Sequence, residues 1–206
     1  MLKGILYNNV SVYHLITKVK LGKNSSFRYE LCASHINPGS SVLDVCAGPG
    51  DLKNYLPASV KYESLEYSLG FVNKLNKNGI CNHKINLHNF NTTDLPNTYD
   101  IAVMIISLCS FKTAALAKII NFMKEKAKKV IIIEEVVLEK NMLTSSFRKY
   151  LCQKLGNKLR SYLCYNNNLQ SIDLFTEKEF IEIMHKHHFV TQKFPHGYIL
   201  ATYEQE

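Results

Sequence analysis

Two acids enclose a short glycine turn in the stretch VLDVCAGPGDL, residues 42–52. Asp44 precedes the turn, Asp51 follows it, and Gly48 and Gly50 lie between them. A glycine turn brings backbone N–H groups close to a ligand, because no side chain keeps the ligand away. Carboxylates on both sides would repel a phosphate, so the pattern favours a ligand that carries positive charge and an ammonium group.

A third acid, Glu66, ends the next predicted strand in KYESLEYS, residues 61–68. A carboxylate at that position can accept hydrogen bonds from both hydroxyl groups of a ribose. Ser68 is predicted to cap the following helix, which places Glu66 rather than Glu63 at the strand end. The alternative interpretation is that Glu66 is an exposed carboxylate with no ligand.

Strands and helices must alternate along the chain to position these residues. Apolar segments predict strands over residues 41–46, 60–66, 83–88, 99–107 and 129–137. Helices are predicted over 69–78, 112–127 and 175–189, and a β-hairpin over 189–194 and 197–204. Near-continuous apolar strands alternating with helices are typical of a parallel sheet covered on both faces. The predicted fold is therefore α/β, a Rossmann-like, mostly parallel seven-stranded sheet with helices on both faces and an antiparallel C-terminal β-hairpin.

A chain of 206 residues is long enough for one α/β domain and short for two. We expect a single domain over 1–206, with a helical cap (1–38), a core (39–139), a lid insert (140–170), and a C-terminal helix and hairpin (171–206). The insert contains a row of apolar residues at i, i+4 spacing: Leu143, Phe147, Leu151, Leu155 and Leu159. Basic residues border this row. This pattern favours a lid helix over an apolar ligand, and the alternative is a peripheral contact with a membrane surface.

Composition narrows the function classes. Apolar residues make up 46% of the chain, which predicts a folded core rather than disorder. The six cysteines are scattered with no CxxC pair, so we expect no metal site, no disulfide framework and a reducing environment. The first residues do not resemble a signal peptide and the apolar runs are short for a membrane span, so we expect a cytoplasmic protein. The net charge of +8 is compatible with nucleic acid, an anionic membrane or an anionic substrate, and equally with no binding role.

The order of these motifs, DxxxGxG and then an acid after the second strand, resembles the class I S-adenosylmethionine (SAM)-dependent methyltransferases over most of residues 38–206. The resemblance implies methyltransferase activity with SAM as the cofactor. It places the methionine part of SAM against Asp44, Cys46, Ala47, Gly48 and Gly50, and the ribose against Glu66 and its neighbour Tyr67. It places the adenine near Asn91 and Thr92, with Ser107 closing the pocket. An NAD-type Rossmann domain is the weaker alternative, because the turn lacks the third spaced glycine of a dinucleotide site.

A narrower resemblance is to the ubiquinone/menaquinone-biosynthesis C-methyltransferases. AGPGDL is similar to the AGGTGDL of that family, and similar segments are YHLITKVKLGKNSSFRY (13–29), YNNNLQSIDLF (165–175) and GYILA (197–201). The chain departs from the family pattern with His14 in place of Asp, Tyr29 in place of Trp, and MKEKAKKV in place of RVLKPGG. The resemblance implies a small, partly apolar acceptor, such as a quinol-like or lipid-like molecule or another metabolite.

Methyl transfer from a sulfonium is an in-line displacement, in which the protein mainly aligns the reacting atoms and excludes water. A base is needed only when the acceptor must lose a proton. Tyr13 and His14 in the cap, Tyr165 in the insert and His196 in the hairpin are the candidates for this role. Each of them could equally be a surface or packed residue.

The acceptor-specific motifs of nucleic-acid methylation are missing from the sequence. There is no (D/N)PPY after the fourth strand, and Cys109 follows Leu108 instead of a proline. A small-molecule acceptor is therefore favoured over nucleic acid, and an RNA methyltransferase is supported only by the charge. A further alternative is a methyltransferase-like partner subunit that binds the cofactor weakly or not at all, because Pro49 removes one N–H donor from the turn.

Overall fold

Seven strands form one mixed sheet in the computed structural model, which describes residues 9–21, 25–85, 87, 95, 98–111, 115–136 and 175–205. The strands are β1 (Ser41–Val45), β2 (Lys61–Leu65), β3 (Cys81–His83), β4 (Tyr99–Ile105), β5 (Ala127–Glu135), β6 (Val190–Phe194) and β7 (Tyr198–Glu204). Their order across the sheet is β3-β2-β1-β4-β5-β7-β6. Neighbours among β1 to β5 are parallel, whereas β7 is antiparallel to both β5 and β6. The predicted fold class, including the antiparallel hairpin, is confirmed.

The α-helices of the described residues are α1 (Val10–Leu21), α2 (Phe27–Ala33), α3 (Leu69–Lys77), α4 (Ala115–Lys126) and α5 (Glu177–Lys186). Helix α5 begins with a capping box: the Glu179 N–H donates to the Thr176 hydroxyl at 3.2 Å, and the Thr176 N–H donates to the Glu179 carboxylate at 3.3 Å. The box satisfies two N–H groups that the first turn of a helix leaves unpaired. No helix within the described residues is long and apolar enough to cross a membrane.

Each face of the sheet carries its own apolar core. On one face, Leu31 of α2 belongs to the same buried cluster as Val42 of β1. On the other face, Phe122 of α4 and Phe180 of α5 share a cluster with Leu43 of β1. Successive residues of a strand point to opposite faces, so burial on both faces produces the near-continuous apolar runs of the central strands.

Strand β3 lies at a different position from the one predicted. It covers Cys81–His83, so His83 is the one described residue of the predicted range 83–88 that lies in the strand. β3 pairs with β2 so that Cys81 faces Glu63 and His83 faces Leu65. β3 is an edge strand, and its position is set by backbone register with β2. The apolar run on which the prediction depended does not report register, because the edge of a sheet needs no continuous burial.

Candidate functional site

The glycine turn, residues 46–50, lies at the carboxyl end of β1 and is held against β2. The N–H of Cys46 donates to the Leu65 carbonyl at 2.9 Å. Cys46, Gly48 and Gly50 have left-handed backbone conformations, with φ of 61°, 58° and 81°. These conformations turn the chain away from the strand direction at the carboxyl edge of the sheet, which is where open parallel sheets bind ligands.

The two glycines of the turn are required for different reasons. A Cβ on Gly50 would lie 2.6 Å from Leu75 Cδ2 and 3.1 Å from Ile80 Cδ1, so the absence of a side chain lets the turn pack against α3. A Cβ on Gly48 would approach the hydroxyl oxygen of Tyr13, at 4.0 Å, and no other described atom so closely. Among the described residues, the space beside Gly48 is therefore open apart from the Tyr13 hydroxyl, whereas the space beside Gly50 is filled.

Glu66 links the turn to the end of β2. Its Oε2 accepts a hydrogen bond from the Gly48 N–H at 2.9 Å, and its Oε1 accepts from the N–H groups of Tyr67 and Ser68, both at 2.8 Å. Burial raises the pKa of Glu66, and these three N–H groups act in the opposite direction. A carboxylate offers about four lone-pair positions, so one position on Oε2 remains for another donor.

Asp44 is buried in the sheet, with only 3% of its surface exposed. Its Oδ2 accepts a hydrogen bond from the Tyr62 hydroxyl at 2.6 Å. Burial raises the pKa of Asp44 to about 7; the Tyr62 hydrogen bond acts against this shift, and the nearby carboxylates of Glu66 and Asp51 add to it. The three acids share one electrostatic environment, in which a bound cation would favour their ionised forms.

Helix α1 brings two of the predicted catalytic residues to the turn. The Tyr13 ring packs edge-on against Phe71 of α3, with 5.0 Å between the ring centroids, and its hydroxyl lies near Gly48. His14 Nε2 lies 3.0 Å from Oδ2 and 3.2 Å from Oδ1 of Asp51. Burial raises the pKa of Tyr13, so its phenol stays protonated at neutral pH. The cap therefore places a phenol and an imidazole–carboxylate pair beside the turn.

Arg28 of α2 is a candidate site residue that the sequence analysis missed. Only 5% of it is exposed, and its Nη2 donates to the Tyr29 hydroxyl at 2.9 Å. Burial raises the pKa of the Tyr198 phenol, and the nearby charge of Arg28 acts against this shift. The Tyr29 hydroxyl in turn donates to Asp51 Oδ2 at 3.4 Å. Within the described ranges no carboxylate lies at salt-bridge distance from Arg28, and a guanidinium has more donors than these bonds use. A single arginine in a short helix gives no sequence signal of its burial.

Three other predicted cofactor residues occupy the same edge. Ala47 donates its N–H to the Leu65 carbonyl at 3.4 Å, and burial raises the pKa of the Cys46 thiol, so that thiol remains neutral. Tyr67 is 54% exposed next to Glu66, and Lys84 Nζ lies 6.0 Å from the centroid of its ring.

Two other predicted residues, Ser107 and His196, make contacts outside the turn. The Ser107 hydroxyl donates to the Ile105 carbonyl at 3.1 Å and is engaged at the end of β4. His196 has φ of 67° between β6 and β7, and its ring centroid lies 6.1 Å from that of Phe27 in α2. Three predicted residues and the insert lie outside the described residues: Asn91, Thr92, Tyr165 and 140–170.

Glu134 near the end of β5 is a second residue that the sequence analysis missed. It is fully buried, and its Oε2 accepts from the N–H groups of Leu108 at 2.9 Å and Cys109 at 3.3 Å. Its Oε1 has no hydrogen-bond partner among the described residues. Burial raises the pKa of Glu134 to about 7, against the effect of the two N–H groups. Glu134 thus fixes the 3₁₀ turn Leu108–Phe111 that follows β4 at the carboxyl edge of the sheet.

No family model and no curated protein matches this chain. Solved structures do match it. The DhpI–SAH complex gives a TM-score of 0.70 at 11% identity, over 99% of this chain and 96% of that one. The plantazolicin methyltransferase BpumL, in complex with a monoazolic desmethylPZN analog and SAH, gives 0.66 at 11% identity, over 98% and 93%. A SAM-dependent methyltransferase from Thermotoga maritima gives 0.61 at 14% identity, over 100% and 99%.

This chain has the fold of SAM-dependent methyltransferases. At identities of 11% and 14% the likeness shows the fold alone. A fold of this kind supports many activities, so the function has to be argued from the residues around the glycine turn.

Proposed function

We propose that this chain is a SAM-dependent methyltransferase that acts on a small, partly apolar acceptor. The observation that carries the proposal is the 2.9 Å hydrogen bond from the Gly48 N–H to Glu66. It joins, at one edge of the sheet, the two motifs expected to bind the methionine and ribose parts of SAM. Two solved structures with this fold hold SAH, S-adenosylhomocysteine, which remains when SAM has given up its methyl group.

Glu66 has two tasks in this proposal. Its bonds to the backbone fix the turn, and the remaining position on Oε2 accepts one ribose hydroxyl. The sequence predicted that Glu66 accepts hydrogen bonds from both ribose hydroxyls. As long as Glu66 also accepts from the Gly48 N–H, it can accept directly from one of them. The exposed ring of Tyr67 lies beside this position and offers a surface for the adenine. As the resemblance implies, Asn91 and Thr92 would lie near the adenine and Ser107 would close the pocket.

The amino-acid end of SAM carries an ammonium group and a carboxylate, and the site offers the opposite charge to each. Asp44 and Asp51 enclose the turn where the ammonium would bind. Arg28 is a buried cation, and buried charges in proteins are normally paired. The ligand carboxylate would supply the charged partner that the described residues do not offer, in the bidentate geometry that a guanidinium favours.

His14 is the best-placed of the candidate bases. Because Asp51 lies 3.0 Å from Nε2, the carboxylate favours the tautomer with the hydrogen on Nε2, which leaves the lone pair on Nδ1. Nδ1 would take the proton from the acceptor atom as that atom bonds to the methyl carbon and the carbon–sulfur bond breaks. Tyr13 serves as a hydrogen-bond donor in this arrangement, while Tyr165 and His196 are the alternative bases.

We place the acceptor between the cap and the insert 140–170, within one domain made of the four expected segments. Helix α2 supports this placement, because the Phe27 ring lies 5.8 Å from Tyr198 and 6.4 Å from Phe194 at the carboxyl edge. Pockets for small molecules are mostly apolar and aromatic with a few polar groups. BpumL, a plantazolicin methyltransferase, was solved in complex with a monoazolic desmethylPZN analog and SAH, which also supports a small organic acceptor. The proposed acceptor is a quinol-like or lipid-like molecule or another metabolite, methylated in the cytoplasm.

Isothermal titration calorimetry with SAM and SAH tests the proposal. The wild-type chain should bind both ligands. Glu66→Gln should weaken both by about 10-fold or more, since a hydrogen bond to a charged group contributes about 1.5–3 kcal/mol. Glu125→Gln makes the same change at an exposed position of α4 and should bind like the wild type. A folded wild-type chain that binds neither ligand would refute the proposal and favour the partner-subunit alternative.

A further inference from the structure

Strands β2 and β3 carry a cluster of three potential metal ligands that the proposed function does not use. Glu63, Cys81 and His83 each present one ligand atom, and the three atoms all lie within 4.8 Å of one another. We propose that these residues, the edge cluster, bind Zn²⁺ and that the ion fastens the edge strand β3 to β2.

Backbone register brings the ligands together. Glu63 is the direct partner of Cys81, and His83 follows two positions later on the same face of the strand. Asn82, between them, points to the other face, where its Nδ2 donates to the Glu66 carbonyl at 3.2 Å. The spacing Cys-x-His on one strand, opposite a glutamate on its neighbour, thus presents three donors on one side of the sheet.

The donor types select the metal. A thiolate, an imidazole and a carboxylate are all ligands of zinc, whereas the thiolate disfavours calcium and magnesium. Zinc bonds of about 2.0–2.3 Å place tetrahedral ligand atoms about 3.3–3.8 Å apart, so small side-chain rotations close the edge cluster around the ion. The fourth position is open to water, because Cys81 is exposed and the side chains of Glu63 and His83 are 30% and 25% exposed.

A further hydrogen bond orders the carboxylate. The Tyr99 hydroxyl donates to Glu63 Oε2 at 2.7 Å, and outer-sphere bonds of this kind orient metal ligands. His83 Nε2 lies 2.7 Å from the same oxygen, so an ion would replace this contact with two metal bonds. The competing explanation is that the His83–Glu63 hydrogen bond is complete in itself and Cys81 is only a neighbour.

The ion would strengthen a short strand that supports the candidate cofactor site. β3 has three residues, and the Glu66 N–H donates to the His83 carbonyl at 3.3 Å. The inference does not depend on the proposed function, because metal binding is measured without SAM.

Titration of the metal-free chain with Co²⁺ and then Zn²⁺ tests the inference. Tetrahedral Co²⁺ with a thiolate ligand should show a charge-transfer band that one equivalent of Zn²⁺ removes. Cys81→Ser should abolish the band. Tyr99→Phe should weaken zinc binding by about 10–100-fold, and loss of a direct ligand in His83→Gln or Glu63→Gln should weaken it further. Cys152→Ser/Cys164→Ser is the matched thiol control and should retain the band.

Thermal unfolding gives a second measurement. Zn²⁺ should raise the unfolding midpoint of the wild-type chain and leave that of Cys81→Ser unchanged, because only the folded edge cluster binds the ion. His83→Gln keeps the thiol and covers the case in which Cys81→Ser fails to fold. A band that persists in Cys81→Ser, or a wild-type chain that binds no Zn²⁺ at micromolar concentration, would overturn the inference and leave the hydrogen bond as the explanation.

Discussion

Arg28 and the acids of the glycine turn place both signs of charge in one partly buried site. If Arg28 pairs with the ligand carboxylate, Arg28→Gln should weaken SAH binding by about 10–100-fold, because a charged hydrogen-bonded pair is lost. Binding of 5′-methylthioadenosine, which has the ribose and adenine but no carboxylate, should not change. Arg28→Lys keeps the charge without the planar fork and should lie between. The measurement is calorimetry of the wild-type chain and the variants with both ligands. An equal loss of affinity for SAH and for 5′-methylthioadenosine would show that Arg28 only stabilises the N-terminal helices.

The raised pKa of Asp44 gives stability a defined dependence on pH. The unfolded carboxyl ionises at its ordinary pKa of 3.8, whereas the folded carboxyl keeps its proton up to about 7. The folded state therefore binds the extra proton between these values, so stability falls as pH rises through this window and stays low above it. Glu134 acts in the same direction, because its folded pKa is also raised to about 7.

The corresponding measurement is the thermal unfolding midpoint at about pH 5 and about pH 8. Both groups lower the unfolding midpoint of the wild-type chain at about pH 8 relative to about pH 5. Asp44→Asn should reduce the difference, and Asp44→Asn/Glu134→Gln should reduce it further. A difference that is the same in all three proteins would mean that neither carboxyl is protonated in the folded state.

At the scale of elements, the glycine turn has to fit α3 on one side and a ligand on the other. Gly50→Ala should lower the unfolding midpoint more than Gly48→Ala, because its Cβ would lie 2.6 Å from Leu75. Both variants also place an alanine in a left-handed conformation, at a cost of about 1–2 kcal/mol. Gly48→Ala should have the larger effect on SAH affinity relative to its effect on stability, since its methyl group would occupy the ligand's approach.

A double variant separates packing from backbone conformation in this test. Gly50→Ala/Leu75→Ala removes the clash and keeps the left-handed strain, so it should be less destabilised than the sum of the two single variants. Strict additivity would count against the clash as the reason for Gly50.

At the scale of the whole molecule, the apolar row of the insert and the net charge of +8 predict different acceptors. If an apolar acceptor binds under the insert, Phe147→Asp and Leu151→Asp should abolish turnover while SAH affinity survives. Lys149→Asp, on the basic border of the same row, is the control and should retain turnover. The measurement is transfer of a labelled methyl group from SAM to candidate quinols and lipids. The proposal would be contradicted if the chain methylates RNA, if the rate of that methylation falls steeply as the salt concentration rises, and if neither apolar substitution changes the rate.

The sequence by itself determined the fold class and the order of the motifs. Strands that are buried on both faces need apolar residues at most positions, so central strands can be recognised from the sequence. Accordingly, β1, β2 and β4 begin and end within two residues of their predicted bounds. The glycine turn and the position of Glu66 at the end of β2 were also predictable, because turn residues act within a few positions along the chain. Ser68 occupies the predicted N-cap position of α3, but its side chain makes no capping hydrogen bond.

Tertiary structure alone decided which side chains meet. The bond between Gly48 and Glu66 spans 18 positions, and Asp44 turned out to pair with Tyr62 inside the sheet. Arg28 had no local signal, and the Cys-x-His spacing of the edge cluster does not show that Glu63 lies opposite it. A periodic pattern reports that a face is buried, but the partner on that face depends on strand register and helix placement, which are properties of the whole sheet.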